Sequence, residues 1–336
     1  MASQGIGAFA VPDLIPFSLR HPCRDTRFML IDYAAITHQG KVRKNNEDAY
    51  LVSAMDGEEP GVNALSRTPK VCKVGLLAAV ADGMGGAAAG EVASREGLAS
   101  IAVNLFGHWG RFPASEATEE GLFRALMGAA EEASAAVLRY SDTDRRIRGM
   151  GSTLTATVVW NGHLYLCQVG DSRAYLYRRP TLSQLTVDQT LVNEMITSGF
   201  ITPEEAKTHP QRSMITQALG CPQPVKAALG RVALRRGDRL LICSDGLHGE
   251  ISDDQILGIL EQGYSARRSL ELMLEAALEH GGRDNITALL LHLDDPAFPL
   301  PLAEETIQVI VPNLKAIDSN GRGVFARIGR IFSSQP

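Results

Sequence analysis

The apolar positions of this chain fall into two textures. Short runs bounded by turn residues read as strands: Phe28–Ala35, a run ending in Tyr50-Leu51-Val52, Leu76–Ala81, Leu154–Trp160, His163–Val169, Ala174–Tyr177, Val225–Leu234, Leu240–Cys243 and Ile286–Leu293. Longer stretches repeat near the helical period. Glu91–Phe106 carries Val92, Leu98, Ile101, Ala102 and Leu105, and Ser115–Tyr140 carries Leu122, Phe123, Leu126, Ala130, Ala133, Val137 and Leu138. Residues 107–114 break the two apart. Their alanines predict close helix packing, and two adjacent helices between strands predict a layer lying on a sheet. Asn161-Gly162 between two strand-like runs is a strong hairpin signal, so the sheets are expected to be antiparallel. Further helices are expected at Ser252–Glu261, opened by a Ser252/Gln255 capping box, and at Ala266–His280, stopped by Gly281.

Thr186–Gly220 breaks this rhythm. It is polar, with short helices expected over Asp188–Ser198 and from Thr202-Pro203, where proline suits the first helical position. A polar insert of this length between strands predicts a surface flap near a site. Residues 1 to about 28 have no period and read as an extension. In the tail from Pro296, Glu304–Val311 is a candidate strand. Val324, Phe325, Ile328, Ile331 and Phe332 form a small helical stripe near Arg322, Arg327 and Arg330, suited to a partner or an anionic surface.

The candidate chemistry sits where strands meet acids. Leu76–Ala81 runs into Asp82-Gly83-Met84-Gly85-Gly86, and Leu240–Cys243 runs into Ser244-Asp245-Gly246. Arg283-Asp284-Asn285 precedes the last strand, and Asn45-Asn46-Glu47-Asp48 precedes the strand ending at Val52. Any one Asp-Gly pair is ordinary turn chemistry. Four acidic turns abutting core strands instead suit a divalent cation, which takes carboxylate and main-chain oxygens and keeps some water. Glycine lets the backbone come close and expose a carbonyl. Arg43, in the loop before Glu47, presents a planar fork that matches a phosphate.

Composition narrows the classes. The 336 residues are 45% hydrophobic and 21% charged, as in soluble globular proteins, and allow one large domain or two small ones. A net charge of −5 argues against nucleic acid as a main partner. The five cysteines (Cys23, Cys72, Cys167, Cys221, Cys243) form no C-x-x-C pair, which fits a reduced, cytoplasmic setting. The N-terminus lacks the basic start of a signal peptide, and no apolar run approaches the roughly 20 residues of a membrane span. The glycine-rich stretch lacks the Gly-Lys-Ser/Thr of a nucleotide cradle.

Taken in order, Arg43…Asn46-Glu47-Asp48, Ala81-Asp82-Gly83-Met84-Gly85-Gly86, Gly151-Ser152-Thr153, Val169-Gly170-Asp171-Ser172-Arg173, Ser244-Asp245-Gly246 and Asp284-Asn285 resemble the signature set of the PP2C-type (PPM) metal-dependent Ser/Thr protein phosphatases, bacterial type. The resemblance covers roughly residues 30–295, and Ile201–Gly220 is similar to the flap of bacterial members. It implies an α+β fold, a four-layer αββα sandwich of two antiparallel sheets flanked by helix pairs. The expected organisation is an extension at 1–28, a phosphatase domain at 29–295 with its flap at about 186–220, and a tail at 296–336.

The roles it implies are specific. Asp82 would bridge two cations, the Gly83 carbonyl and Glu47 would serve one, and Asp245 and Asp284 the other. Asp48 would hold water, and Arg43 would clamp the phosphate. A third cation is implied through Asp245 and an aspartate before Gly149-Met150-Gly151, with Asp144 the candidate and Asp142 the second choice. Oxygen-only ligands favour Mn²⁺ or Mg²⁺ over zinc. The implied substrates are phosphorylated proteins opposite a bacterial Ser/Thr kinase, and the expected protein is a monomer. A catalytically silent phosphoprotein-binding module is the alternative. The chain departs from the family at His38 (often aspartate), at Gln189-Thr190 (often His-Ser) and at Met84 (a histidine in many eukaryotic members, and there a candidate general acid).

Overall fold

The structure, a computed structural model, describes residues 29–55, 62–63, 70–71, 75–85, 89–109, 117–302, 305–312 and 325–326. The N-terminal extension, most of the 56–70 loop, Gly86 and nearly all of the expected C-terminal helical stripe lie outside them.

In chain order come β1 (Met29–Leu30), β2 (Asp32–His38), β3 (Asp48–Ala54), β4 (Lys70–Val71), β5 (Leu76–Met84), α1 (Ala89–Trp109) and α2 (Glu119–Ser141). Then follow β6 (Gly151–Ser152), β7 (Leu154–Trp160), β8 (His163–Val169), β9 (Arg173–Arg178), β10 (Thr181–Gln184), α3 (Leu191–Thr197) and α4 (Pro203–Thr208). The chain continues through β11 (Ala228–Ala233), β12 (Asp238–Cys243), α5 (Asp245–His248), α6 (Asp253–Glu261), α7 (Ala266–Glu279), β13 (Ile286–Leu293), β14 (Val311–Pro312) and β15 (Phe325–Ala326).

Two antiparallel sheets carry the fold. One runs β10-β9-β12-β13-β2; the other runs β11-β8-β7-β5-β3, with β6 attached to the end of β5. β5 explains why its sequence shows no alternation. Leu76, Ala78 and Val80 pack between the sheets with Leu240, Ile242, Leu289 and Leu291, while Leu77, Ala79 and Ala81 pack under α1 and α2 with Leu98, Leu122 and Phe123. A strand apolar on both faces is what a four-layer sandwich requires of its inner sheets. The outer face of the other sheet is covered by α5–α7, through Leu247, Ile256, Leu270 and Met273 against Leu241 and Leu290. The expected αββα architecture is the observed one.

Local chemistry sets the ends. Asn161-Gly162 turns the β7–β8 hairpin with positive φ at both residues (48° and 73°). The Ser252/Gln255 capping box forms as expected, and Thr202/Glu205 forms another ahead of α4. α3 starts later than the sequence suggested, because Thr190 caps it and Asp188 turns its side chain to Arg173. The tail departs further. Ile310 exchanges two 2.8 Å backbone hydrogen bonds with Arg231 on the outer edge of β11, so the expected Glu304–Val311 strand is reduced to a docked edge segment. Glu305 holds it at Arg235, and Ile307 and Val309 close over the inter-sheet core. Covering a free edge in this way removes a template for unwanted strand pairing. Among the described residues no helix is long and apolar enough to cross a membrane.

Candidate metal centre

The acids gather because the two sheets end together. Asp48 opens β3 directly opposite Asp82 in the antiparallel register of β3 and β5. On the facing sheet, β12 runs into Ser244-Asp245, and Asp284-Asn285 leads into its neighbour β13, with Ser244 N–H donating to Thr287 O at 2.9 Å. Side chains then lace the sheets together. Ser244 Oγ donates to Asp48 Oδ2 at 2.7 Å. The Glu47 N–H donates to Asn285 Oδ1 at 2.8 Å, and Asn285 Nδ2 donates to the carbonyls of Gln39 and Asn45 at 2.9 and 2.8 Å. Asp82 is fixed by Thr153, whose Oγ1 accepts from its N–H at 2.9 Å and whose own N–H donates to its carbonyl at 2.9 Å.

The glycines are required by contact. A Cβ on Gly246 would stand 2.0 Å from the Asn285 carbonyl oxygen, and one on Gly83 would stand 2.0 Å from that of Gly90. In turn, a Cβ on Gly90 would meet Glu47 Oε2 at 2.4 Å. All these obstacles but the last are backbone and cannot step aside. Gly246→Ala is therefore expected to destabilise the protein by about 1–3 kcal/mol, the scale of an overpacked site, and to disturb Asp245. Chemical denaturation checks this, and a wild-type midpoint in the variant would contradict it.

Electrostatically the cleft is strained. Burial, then the charges of Asp48, Asp245, Asp171 and Asp284, push the Asp82 carboxyl well above its ordinary range. Burial likewise lifts Asp48 to about 8, against hydrogen bonds from Ser244 and Thr287 that favour its ionised form. Asp245 is raised by burial and by Asp284, and Glu47 chiefly by burial. Asp48 Oδ1 and Asp245 Oδ1 are buried with no hydrogen-bond partner. Buried carboxylates held close with orphaned oxygens lack a positive charge, and a hard divalent cation with oxygen ligands fits that need. Among the described residues no three His, Cys, Asp or Glu side chains form a finished cage. Arg43 Nη2 lies 2.5 Å from Asp284 Oδ2, supplying part of the missing charge from the rim.

Arg43, Glu47, Asp48, Asp82, Gly83, Asp245 and Asp284 are thus brought to one end of the sandwich. Asp144, the candidate for a third cation, pairs with its near neighbour Arg146. It sits in the turn after α2 and takes Arg146 Nε and Nη2 at 2.9 and 2.6 Å, with the Arg146 N–H on its other oxygen. Asp142 serves as the C-terminal cap of α2. The extra carboxylate beside Asp245 is Asp171, which burial and the Asp245 charge raise to about 7. Sequence reasoning placed Asp171 in a motif without giving it a task. His248 was missed: it is half-buried, with Nε2 3.1 Å from the Asp171 carbonyl oxygen, and loss of solvation lowers it to about 3. A histidine three residues after Asp245 was its only signal.

The departures also find places. His38 Nδ1 accepts the Gly40 N–H at 2.9 Å and so shapes the Arg43 loop. Gln189 fastens the flap base: its Oε1 accepts from Gly170 N–H at 2.7 Å, its Nε2 donates to Lys226 O at 3.0 Å, and its carbonyl accepts from Thr216 N–H at 2.7 Å. Met84 pairs with Gly151 and has no proton to donate.

An αββα sandwich whose sheets end in a shared carboxylate cleft defines a class of protein built around divalent cations. Comparison with known proteins identifies the family. A profile described as Protein phosphatase 2C matches residues 69–290, and the chain belongs to that family. The serine/threonine protein phosphatase PstP of Mycobacterium tuberculosis is 36% identical over 300 residues, covering 86% of this chain and 51% of PstP. The chain thus spans about half the length of that relative. The serine/threonine phosphatase stp of Listeria monocytogenes is 31% identical over 258 residues, covering 77% of this chain and 94% of stp. Among solved structures, the M. tuberculosis PstP/Ppp crystal structure aligns with TM-score 0.65 at 37% identity, covering 79% of this chain and 100% of that one. The PstP catalytic domain in complex with two manganese ions aligns with TM-score 0.63 at 34% identity, covering 79% and 99%.

Proposed function

We propose that this chain hydrolyses phosphoserine and phosphothreonine in proteins, using two Mn²⁺ or Mg²⁺ ions. The observation that carries the reading is the pair of orphaned buried oxygens, on Asp48 and Asp245, in a cleft that Arg43 overlooks. Asp82 lies between the acids of both sheets and would hold both ions. Glu47 and the Gly83 carbonyl would complete one shell, and Asp245 and Asp284 the other. When bound, the cations lower the pKa of water and neutralise the phosphate, which is the chemistry a phosphate-monoester hydrolase needs most.

The remaining work falls to the chain itself. Asp48, oriented by Ser244, holds attacking water with its free oxygen. Arg43 touches Asp284 through one nitrogen and is otherwise exposed, so its remaining N–H groups can hold phosphoryl oxygens. Met84 cannot protonate the leaving alkoxide, and on this reading a water supplies that proton. No covalent intermediate is required; Cys243 is buried, and burial pushes its thiol well above the ordinary range. The partners of this reading are phosphoproteins modified by a bacterial Ser/Thr kinase.

Turnover of a generic aryl phosphate with and without Mn²⁺ tests it. Activity should need the metal and vanish with a chelator; metal-independent turnover, or none at any Mn²⁺ concentration, would overturn it. Arg43→Ala should raise KM by roughly 10- to 100-fold, the value of one or two hydrogen bonds to a charged group. An unchanged KM would remove the clamp role.

A further inference from the structure

The rim of the cleft separates charge by depth. The acids are inside: Asp48 and Asp82 belong to paired strand ends, and Asp171 is almost wholly buried. The bases are outside. Residues 39–46 carry Lys41, Arg43 and Lys44 and no acid, although the whole chain is net acidic at −5. All three side chains are exposed. This loop is pinned to the cleft, because the Lys41 N–H donates to the Gly282 carbonyl at 2.7 Å and a Cβ on Gly40 would stand 2.2 Å from the Asp284 carbonyl oxygen.

A second basic turn opens at the same end. Residues 142–149 carry Arg145, Arg146 and Arg148 against Asp142 and Asp144, and lead through Met150 into β6, which pairs with Gly83-Met84 just beyond Asp82. Here Arg146 is neutralised by Asp144, while Arg145 and Arg148 are exposed and form no ion pair among the described residues. Lys41 and Lys44 also form none. Nearby Arg283, by contrast, is taken by Glu250. Four uncommitted cations therefore stand on two loops that meet the cleft.

We propose that the cleft selects phosphoserine and phosphothreonine within acidic polypeptide, with Lys41 and Lys44 on one side and Arg145 and Arg148 on the other receiving carboxylates that flank the phosphate. This rests on the phosphatase reading above. It follows from geometry: a phosphate reaching the buried acids leaves its flanking chain outside, beside these four exposed cations. Exposed charges of this kind steer and discriminate more than they tighten, and salt screens them.

The test uses the full chain and three phosphopeptides that differ only in acidic, neutral or basic flanks. At low salt the acidic peptide should show kcat/KM roughly tenfold or more above the neutral one, with the basic peptide lowest. The ranking should flatten at high salt. It should narrow in Lys41→Ser/Lys44→Ser and, separately, in Arg145→Ser/Arg148→Ser, with aryl phosphate turnover unchanged in both. Equal rates for the three peptides, a basic preference, or a ranking untouched in both variants would overturn the proposal. The same peptides carrying a non-hydrolysable phosphonate, read by fluorescence anisotropy, give the preference without turnover. A chain that ranks these ligands but leaves aryl phosphate intact would retain the rim assignment and lose the catalytic one.

Discussion

Asp82→Asn is expected to lower kcat by about 10²- to 10³-fold, the scale of deleting a preorganised charge-stabilising group, and to leave the fold intact. The backbone of Asp82 is held through Thr153 and through its pairing with Asp48, and neither contact uses the carboxylate. An amide retains one oxygen but loses the charge that would hold two cations together. Its second effect separates a ligand from a structural residue. Asp82 feels the charges of Asp48, Asp245, Asp171 and Asp284, so neutralising it relieves repulsion in the metal-free protein. The metal-free variant should therefore melt at or above the wild-type temperature near pH 8, and its gain in Tm on adding Mn²⁺ should shrink. Near-normal turnover, or a large drop in melting temperature, would contradict the assignment.

The second large effect concerns pH. Asp48 at about 8 and Asp171 at about 7 are both raised in the folded state, from an ordinary value near 3.8. A raised carboxyl binds its proton more tightly folded than unfolded. Its stabilisation is complete below the unfolded pKa and is lost as pH climbs through the folded one. The metal-free protein should thus lose stability progressively from about pH 4 to pH 8, by up to about 1.4 kcal/mol per pH unit for each such group. On the proposed reading divalent cations would bind the ionised acids and should reverse the loss. The rise in Tm on adding Mn²⁺ should be small at pH 5 and large at pH 8. Melts of the chelated and Mn²⁺-loaded protein across that range decide it; a flat metal-free profile would mean that the acids do not share a buried cleft.

Much of the architecture was legible because both faces of β5 and β13 are apolar, which only inner sheets of a layered fold demand. The hairpin at Asn161-Gly162 and the caps at Ser252 and Thr202 were legible because turn and cap chemistry is local. The acids at the strand ends were legible for the same reason: a hydrophobic run that stops at Asp-Gly marks its own end. The Asp144–Arg146 pair is a local one, two residues apart, and both of its members stand in plain view in the sequence. The Glu304–Val311 segment misled in part because β propensity does not say how much sheet edge is available.

The amino-acid order by itself determined the layers, the turns and which residue types stand at each strand end, since these depend on burial periodicity and short-range backbone preference. Only the tertiary structure decided which of those ends meet. Asp48 faces Asp82 through strand register, and Ser244 reaches Asp48 across the two sheets. Asp171 stands close enough to Asp245 to feel its charge. Such juxtapositions depend on long-range packing, where residues some 200 positions apart share one buried volume, and no local pattern encodes that distance.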